Sequence, residues 1–227
     1  MEKLAYLIFD EADRSGKELR EALIDGVAPK LRAAGAQGIL VNVADEDVAA
    51  GNPIRNRVPP VRAFVCFWLE NSDDRGPCEE ALGAVGQGLA GYLVAESRPL
   101  VHERRKGQRT EGMNQVTCIA RKPGLTDEEF WHIWTVDHKK VAIETQSTVG
   151  YVRNVITRPL TEGAPDCWVA IVEETFPIGA LTDLKVFYDN ASDEEFKERL
   201  ARMMGSVERF LDAGPMECTP MSEYDLG

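Results

Sequence analysis

The chain has 227 residues, 44% of them hydrophobic and 28% charged, with a net charge of −12. That is the composition of a globular protein of one large or two small domains. The acidic balance argues against a nucleic-acid face, which needs concentrated Lys and Arg, and no run of about 18 apolar residues is present to form a membrane-spanning helix.

The N-terminus passes from a short apolar run straight into acids, unlike a secretion signal, so a cytoplasmic location is expected. Five cysteines are scattered through the chain without a CxxC pair, which leaves no cysteine-rich metal site. Cys66, Cys118 and Cys167 sit in or beside apolar runs and are read as buried thiols.

Residues 4–9 form a short apolar run with the length of a buried strand. A helix follows over residues 16–34. Leu19, Leu23, Val27 and Leu31 make its apolar stripe. Pro29 should kink or restart it for want of an N–H, and Gly35 should stop it. Residues 38–43 read as a second strand, 44–60 as a long connection held extended at Pro59-Pro60, and 63–69 as a well-covered third strand. A helix over 77–89 is weakened by Gly83, Gly86 and Gly88. A fourth strand spans 91–96. The basic run from His102 to Lys106, with Arg109 beyond it, lies in a charged stretch read as a solvated linker.

The order then repeats. Residues 116–120 are a strand, and Lys122-Pro123-Gly124-Leu125 a turn. Thr126 with Glu129 three residues on forms a capping box for a helix reaching about residue 147. Strands follow at 150–156 and 168–174. Ser192 and Glu195 cap a last long helix, whose stripe is Phe196, Leu200, Met203, Met204, Val207 and Phe210. Asp212 to Pro215 should stop this helix, and 218–224 reads as a weak final strand.

Two β-α-β-β-α-β units result, 1–110 and 111–227. The expected fold is α+β: two ferredoxin-like units packed sheet to sheet as a barrel, helices outside. On the helix from Thr126, a uniform turn of about 100° per residue gathers Phe130, Val141, Trp134, Thr145, His138 and Trp131 on one face, with His132 turned to solvent. Tyr151 begins the next strand; Arg153 shares its face and Asn154 does not. No glycine-rich phosphate loop, HExxH or serine elbow is present, so no cofactor and no metal are expected.

The second half resembles the EthD family of the dimeric α+β barrel superfamily. The resemblance lies in residues 120–126, Glu129-Phe130, Trp134, His138 and 150–154, and extends over about 115–210. The first half lacks the motif; Asp25-Gly26-Val27 stands where His138 would be. The resemblance implies a pocket between the helices and the sheet of one unit, in a group that includes cofactor-free oxygenases, cyclases, dehydratases and lactone isomerases as well as haem proteins. In several of these a histidine or tyrosine moves a proton.

His138 and Tyr151 are therefore the candidate catalytic residues. Phe130, Trp131, Trp134, Val141 and Arg153 are the candidate substrate-binding residues. The expected partner is a small apolar or aromatic molecule, with no nucleic acid and no membrane, and a homodimer is compatible with the fold. The expected function is cofactor-independent small-molecule chemistry of lyase, dehydratase, isomerase or oxygenase type. The alternative is a non-catalytic apolar-ligand-binding or accessory protein of a degradation pathway.

Overall fold

The computed structural model describes residues 1–11, 13–189 and 192–227. Strand β1 is Glu2–Phe9. Helix α1 runs as three consecutive stretches, Gly16–Glu21, Ala22–Val27 and Ala28–Ala33, the middle one π-helical. Pro29 falls in the first turn of the stretch that resumes after the π segment, where its missing N–H is least costly. Strands β2 (Gln37–Val43) and β3 (Val61–Leu69), helix α2 (Gly76–Gly83) and strand β4 (Gly88–Leu100) complete the first half. After the two-residue β5 (Gln108–Arg109), β6 is Met113–Arg121.

Helix α3 again has three stretches, Asp127–His132, Ile133–His138 and Lys139–Thr145, and again the middle one is π-helical. Strands β7 (Gly150–Pro159) and β8 (Trp168–Phe176), the short α4 (Leu184–Phe187), the long α5 (Asp193–Val207) and β9 (Leu211–Asp225) follow. Both capping boxes read from the sequence, at Thr126/Glu129 and Ser192/Glu195, are formed.

The strands form one closed antiparallel barrel in the order β2-β3-β1-β4-β7-β8-β6-β9, with β9 returning to β2 and β5 appended to β9. The same local strand order occurs once in each half. The halves are joined through backbone pairing at two seams. At one, β4 pairs with β7, from Tyr92↔Pro159 to Leu100↔Tyr151. At the other, β2 pairs with β9, from Leu40↔Asp225 to Val43↔Ser222. Closure removes the free sheet edges that two separate sheets would carry.

Alternation along each strand sorts side chains into two sets. Ala5, Leu7, Phe64, Cys66, Val116, Cys118 and Ile171 fill the barrel. Leu4, Tyr6 and Ile8 face α1 and α2 in the first half. Ile119, Tyr151 and Val172 face the helical layer of the second. One end of the interior is polar. The Lys3 ammonium donates to Asn154 Oδ1 at 2.7 Å and pairs with Glu96, and Asn154 donates to Glu173 Oε1 at 2.9 Å.

Four local expectations need correction. Helix α2 ends at Gly83, because Gly88 and Leu89 belong to the longer β4. Asp212 to Pro215 lie inside β9, and a register break between Cys118 and Ala120 lets Gly214 and Pro215 bulge out of the ladder. The linker is not simply solvated. Its Arg104 reaches inward to Glu223 Oε2 at 2.8 Å, and His102 Nε2 lies 3.0 Å from Glu223 Oε1. Cys167 is exposed, whereas Cys78 joins Cys66 and Cys118 as a buried thiol.

Candidate active site

Helix α3 begins on a polar, acidic turn whose carboxylates suit the positive helix end. It then lays Phe130 and Trp134 against the outer face of β6, β7 and β8. Both side chains are almost wholly buried. The π-helical stretch changes the helical wheel downstream. It takes up roughly one extra residue in a turn, which shifts Val141 off the buried face while Thr145 stays on it. Ala142 accordingly takes the buried place expected for Val141, which is only half-buried. His138 closes the π-helical stretch and still faces the sheet side.

Between α3, α5 and the sheet lies a cavity of about 330 Å³. Its floor is the outer face of β6 to β9, and its walls include Trp134, Met203, Val207 and Phe210. The lining is mostly apolar, and its size is at the small end of ligand pockets, ~300–1,000 Å³.

His138 lines this cavity. Its Nδ1 lies 3.0 Å from Ser206 Oγ on α5, and its ring packs 4.6 Å from that of Phe210. Burial lowers its pKa to about 4, so the imidazole is neutral near pH 7. Nε2 has no protein partner among the described residues. Tyr151 also lines the cavity. Burial raises its phenol above the ordinary range.

The remaining candidates stand around the cavity. Phe130 and Trp131 pack on Trp134 from behind, with ring centroids 5.7 and 5.5 Å from it. Val141 packs with Ala142, Tyr188 and Met203 beside the lining. Arg153 shares the face of Tyr151, as strand alternation requires. Its guanidinium lies 5.7 Å from the Trp134 ring and 6.0 Å from that of Tyr151, and its Nε donates to Ser97 Oγ at 3.1 Å. It braces the aromatic wall and is not part of the lining. Asn154 points into the barrel, and His132 is exposed.

Several cavity residues were not singled out in the sequence, Glu174, Gln115 and Ile54 among them. Glu174 lines the floor, and burial alone raises its pKa to about 7. Its strand neighbours Tyr151 and Gln115 line the same floor on either side. Ile54 comes from the long connection of the first half. It pairs with Cys218 on β9 through N–H to O bonds of 2.8 and 3.0 Å. The first half therefore contributes a residue to the lining. Alternation along 168–174 would have turned Glu174 to the face of Val172. Nothing in the sequence pairs Ile54 with β9.

Cys218 lies in the lining too, but burial raises its thiol to about 11, which leaves little thiolate at neutral pH. Among the described residues no group of three or more His, Cys, Asp and Glu side chains is placed to hold a metal ion. No helix among them is long and apolar enough to cross a membrane.

Fold and cavity together define an α+β barrel protein with a mostly apolar chamber under the helices of its second half. Residues 122–214 match the EthD domain family model. No curated protein matches it by sequence. Among solved structures, an anthrone oxidase-like protein aligns with a TM-score of 0.56 at 11% identity, covering 100% of this chain and 93% of that one. A proposed monooxygenase of Fusobacterium nucleatum subsp. nucleatum aligns with a TM-score of 0.50 at 12% identity, covering 100% and 93%. At these identities the likeness is one of fold.

Proposed function

We propose that the protein is an enzyme of small apolar or aromatic molecules, acting without a bound cofactor, with His138 moving a proton in a lyase, dehydratase, isomerase or oxygenase step. The observation that carries this is the cavity itself, in which a neutral imidazole with one nitrogen held by Ser206 stands among apolar walls. Such a ring can accept a proton at Nε2 in a dry site. Trp134 and Phe210 supply flat surfaces for an aromatic substrate, and Tyr151 a phenol that can donate to a substrate oxygen. The names of the two structural neighbours, an anthrone oxidase-like protein and a proposed monooxygenase, agree with chemistry on a small organic substrate.

We read residues 1–110 and 111–227 as two ferredoxin-like units, the second carrying the chemistry and the first completing the barrel. A purely binding role would be favoured by a cavity filled with tryptophan, or by a His138 occupied by a backbone carbonyl. Trp131 lies outside the lining and His138 meets a hydroxyl, which supports the catalytic reading.

The test is turnover of a panel of bicyclic and tricyclic aromatic ketones and phenols, followed by mass spectrometry, with wild type and His138→Ala. The expected result is conversion of at least one compound by wild type and a loss of about 100-fold or more in the variant, with the thermal midpoint little changed. Full turnover by the folded variant sinks the role of His138.

A further inference from the structure

The floor of the cavity carries a row of polar side chains that the role given to His138 does not use. Glu174 on β8 is the direct strand partner of Tyr151 on β7 and of Gln115 on β6. Directly opposed residues on one sheet face hold their Cβ atoms about 4.5–5.5 Å apart. All three side chains line the same cavity. Neither Glu174 nor Gln115 makes a side-chain hydrogen bond or ion pair among the described residues. A carboxyl group without a partner in an apolar chamber is costly, since a buried polar group normally finds one. Lysines and arginines lie elsewhere, and the ionisable neighbours that feel the charge of Glu174 are Tyr151, Tyr188 and Cys218.

We propose that Glu174 is the catalytic proton acceptor of this cavity, and that its substrates are compounds with an acidic C–H beside a carbonyl. The inference rests on the reading of this cavity as the site of a small-molecule enzyme. In the step, the substrate C–H bond breaks and its electron pair stays on the substrate as an enolate. The proton forms an O–H bond on the Glu174 carboxylate. The negative charge moves to the carbonyl oxygen, where the Tyr151 hydroxyl and the Gln115 amide are the donors beside the base.

This arrangement places a base between two donors on one rigid sheet surface, so the acidic hydrogen and the oxygen of one enolisable group can be met together. Because burial brings the carboxyl to about 7, it is a stronger base than an ordinary glutamate and is still half ionised at neutral pH. His138, neutral and across the cavity on α3, is then free to handle a second proton at another atom of the substrate. Two groups with pKa values displaced in opposite directions can divide acid and base roles in this way.

The experiment uses 2-tetralone, a bicyclic aromatic ketone with exchangeable C–H groups beside its carbonyl. Deuterium incorporation in D2O is followed by NMR, and binding by saturation transfer to the ligand, with wild type, Glu174→Gln and His138→Ala. The expected result is accelerated exchange by wild type and a loss of about 100-fold in E174Q, with ketone binding retained by E174Q. Wild-type acceleration that survives in E174Q overturns the role of Glu174 and leaves the enzyme reading standing. Binding without acceleration by wild type overturns proton abstraction while leaving the cavity as a ligand site. Absence of binding to wild type overturns both. A loss of binding in E174Q equal to its loss of exchange also overturns the proposal, since Glu174 would then only hold the ligand.

Discussion

His138 Nδ1 and Ser206 Oγ stand 3.0 Å apart, bridging α3 and α5 over the cavity. Ser206 is buried, and its hydroxyl engages one ring nitrogen while the other has no protein partner among the described residues. Ser206→Ala removes a hydrogen bond worth about 1 kcal/mol and frees the ring to turn about its own axis. The expected outcome is a turnover loss of roughly tenfold, since a misoriented proton-transfer group is costly, with a fall in thermal midpoint of only a few degrees. Ser206→Thr keeps the hydroxyl and should recover most of the turnover. Equal kcat in wild type and S206A would show that the ring needs no such anchor.

The two displaced groups of the cavity oppose each other in the pH dependence of stability. His138 is depressed from 6.5 to about 4, so the unfolded chain binds its proton first as pH falls. Stability is therefore lost on acidification from about 6.5 down to 4. Glu174 is raised from 4.5 to about 7, so the unfolded chain releases its proton first as pH rises. Stability is lost on alkalinisation from about 4.5 to 7. In the overlap the slopes largely cancel. Glu174→Gln should unmask the His138 slope: equal to wild type below pH 4.5, and more stable above pH 7 by on the order of 2 kcal/mol, after allowance for partial solvation of the carboxyl. Urea midpoints between pH 4 and 8 measure this. A variant curve parallel to wild type throughout refutes the raised carboxyl.

These two predictions differ in how far the sequence anticipates them. The apolar stripes and capping boxes placed α3 and α5, and the pattern of periods led to the barrel, because local hydrogen bonding and burial decide those features. That His138, Trp134 and Tyr151 share one cavity was legible because rare residue types stand on a strongly patterned helix and strand. Val141 was misassigned because a π-helical stretch leaves no signature in a uniform wheel. Ile54 was missed because its pairing with Cys218 is a long-range contact across a proline-rich connection. Arg104 and His102 looked like a solvated run because their partner, Glu223, lies more than a hundred residues away. Seam pairings and inward charges depend on tertiary closure, which local pattern does not encode.

Two glycines separate backbone conformation from packing. Gly112 and Gly124 both have positive φ, +91° and +90°. Alanine at either position meets the left-handed penalty, about 1–2 kcal/mol. At Gly124 a Cβ has open space, whereas at Gly112 it would meet the Phe176 carbonyl oxygen at 2.0 Å. Gly124→Ala should therefore cost about 1 kcal/mol. Gly112→Ala should cost several-fold more, because the obstacle is backbone of β8 and cannot swing aside. Denaturant midpoints of the two variants check this, and equal losses would place the whole effect in φ.

Lys3 tests whether the polar end of the barrel interior acts as a unit. Its side chain is 3% exposed, it contacts Glu96 and Asn154, and its ammonium lies 3.9 Å from Glu173 Oε1 and 4.9 Å from the Trp68 ring. Lys3→Met keeps the length of the stem and removes the charge, which leaves the interior Glu173 carboxylate without its cation, while Glu96 keeps its ion pair with Arg98. Breaking a buried pair in this way costs about 3–5 kcal/mol. The loss should depend on pH. Burial tends to raise Glu96, but Lys3 beside it holds its pKa below the ordinary value, so that contribution to stability is present above about 4.5 and fades as pH falls. The gap between wild type and K3M should therefore narrow on acidification. Glu173→Gln in the K3M background removes the stranded carboxylate, and the double variant should be more stable than the sum of the single losses predicts, with a coupling of about 1–3 kcal/mol. The cavity lies on the opposite face of the sheet, so ligand binding by folded K3M should match wild type. Strictly additive losses at pH 7 in urea unfolding would mean that Lys3 and Glu173 are held independently, and the interior would then be a set of separate pairs.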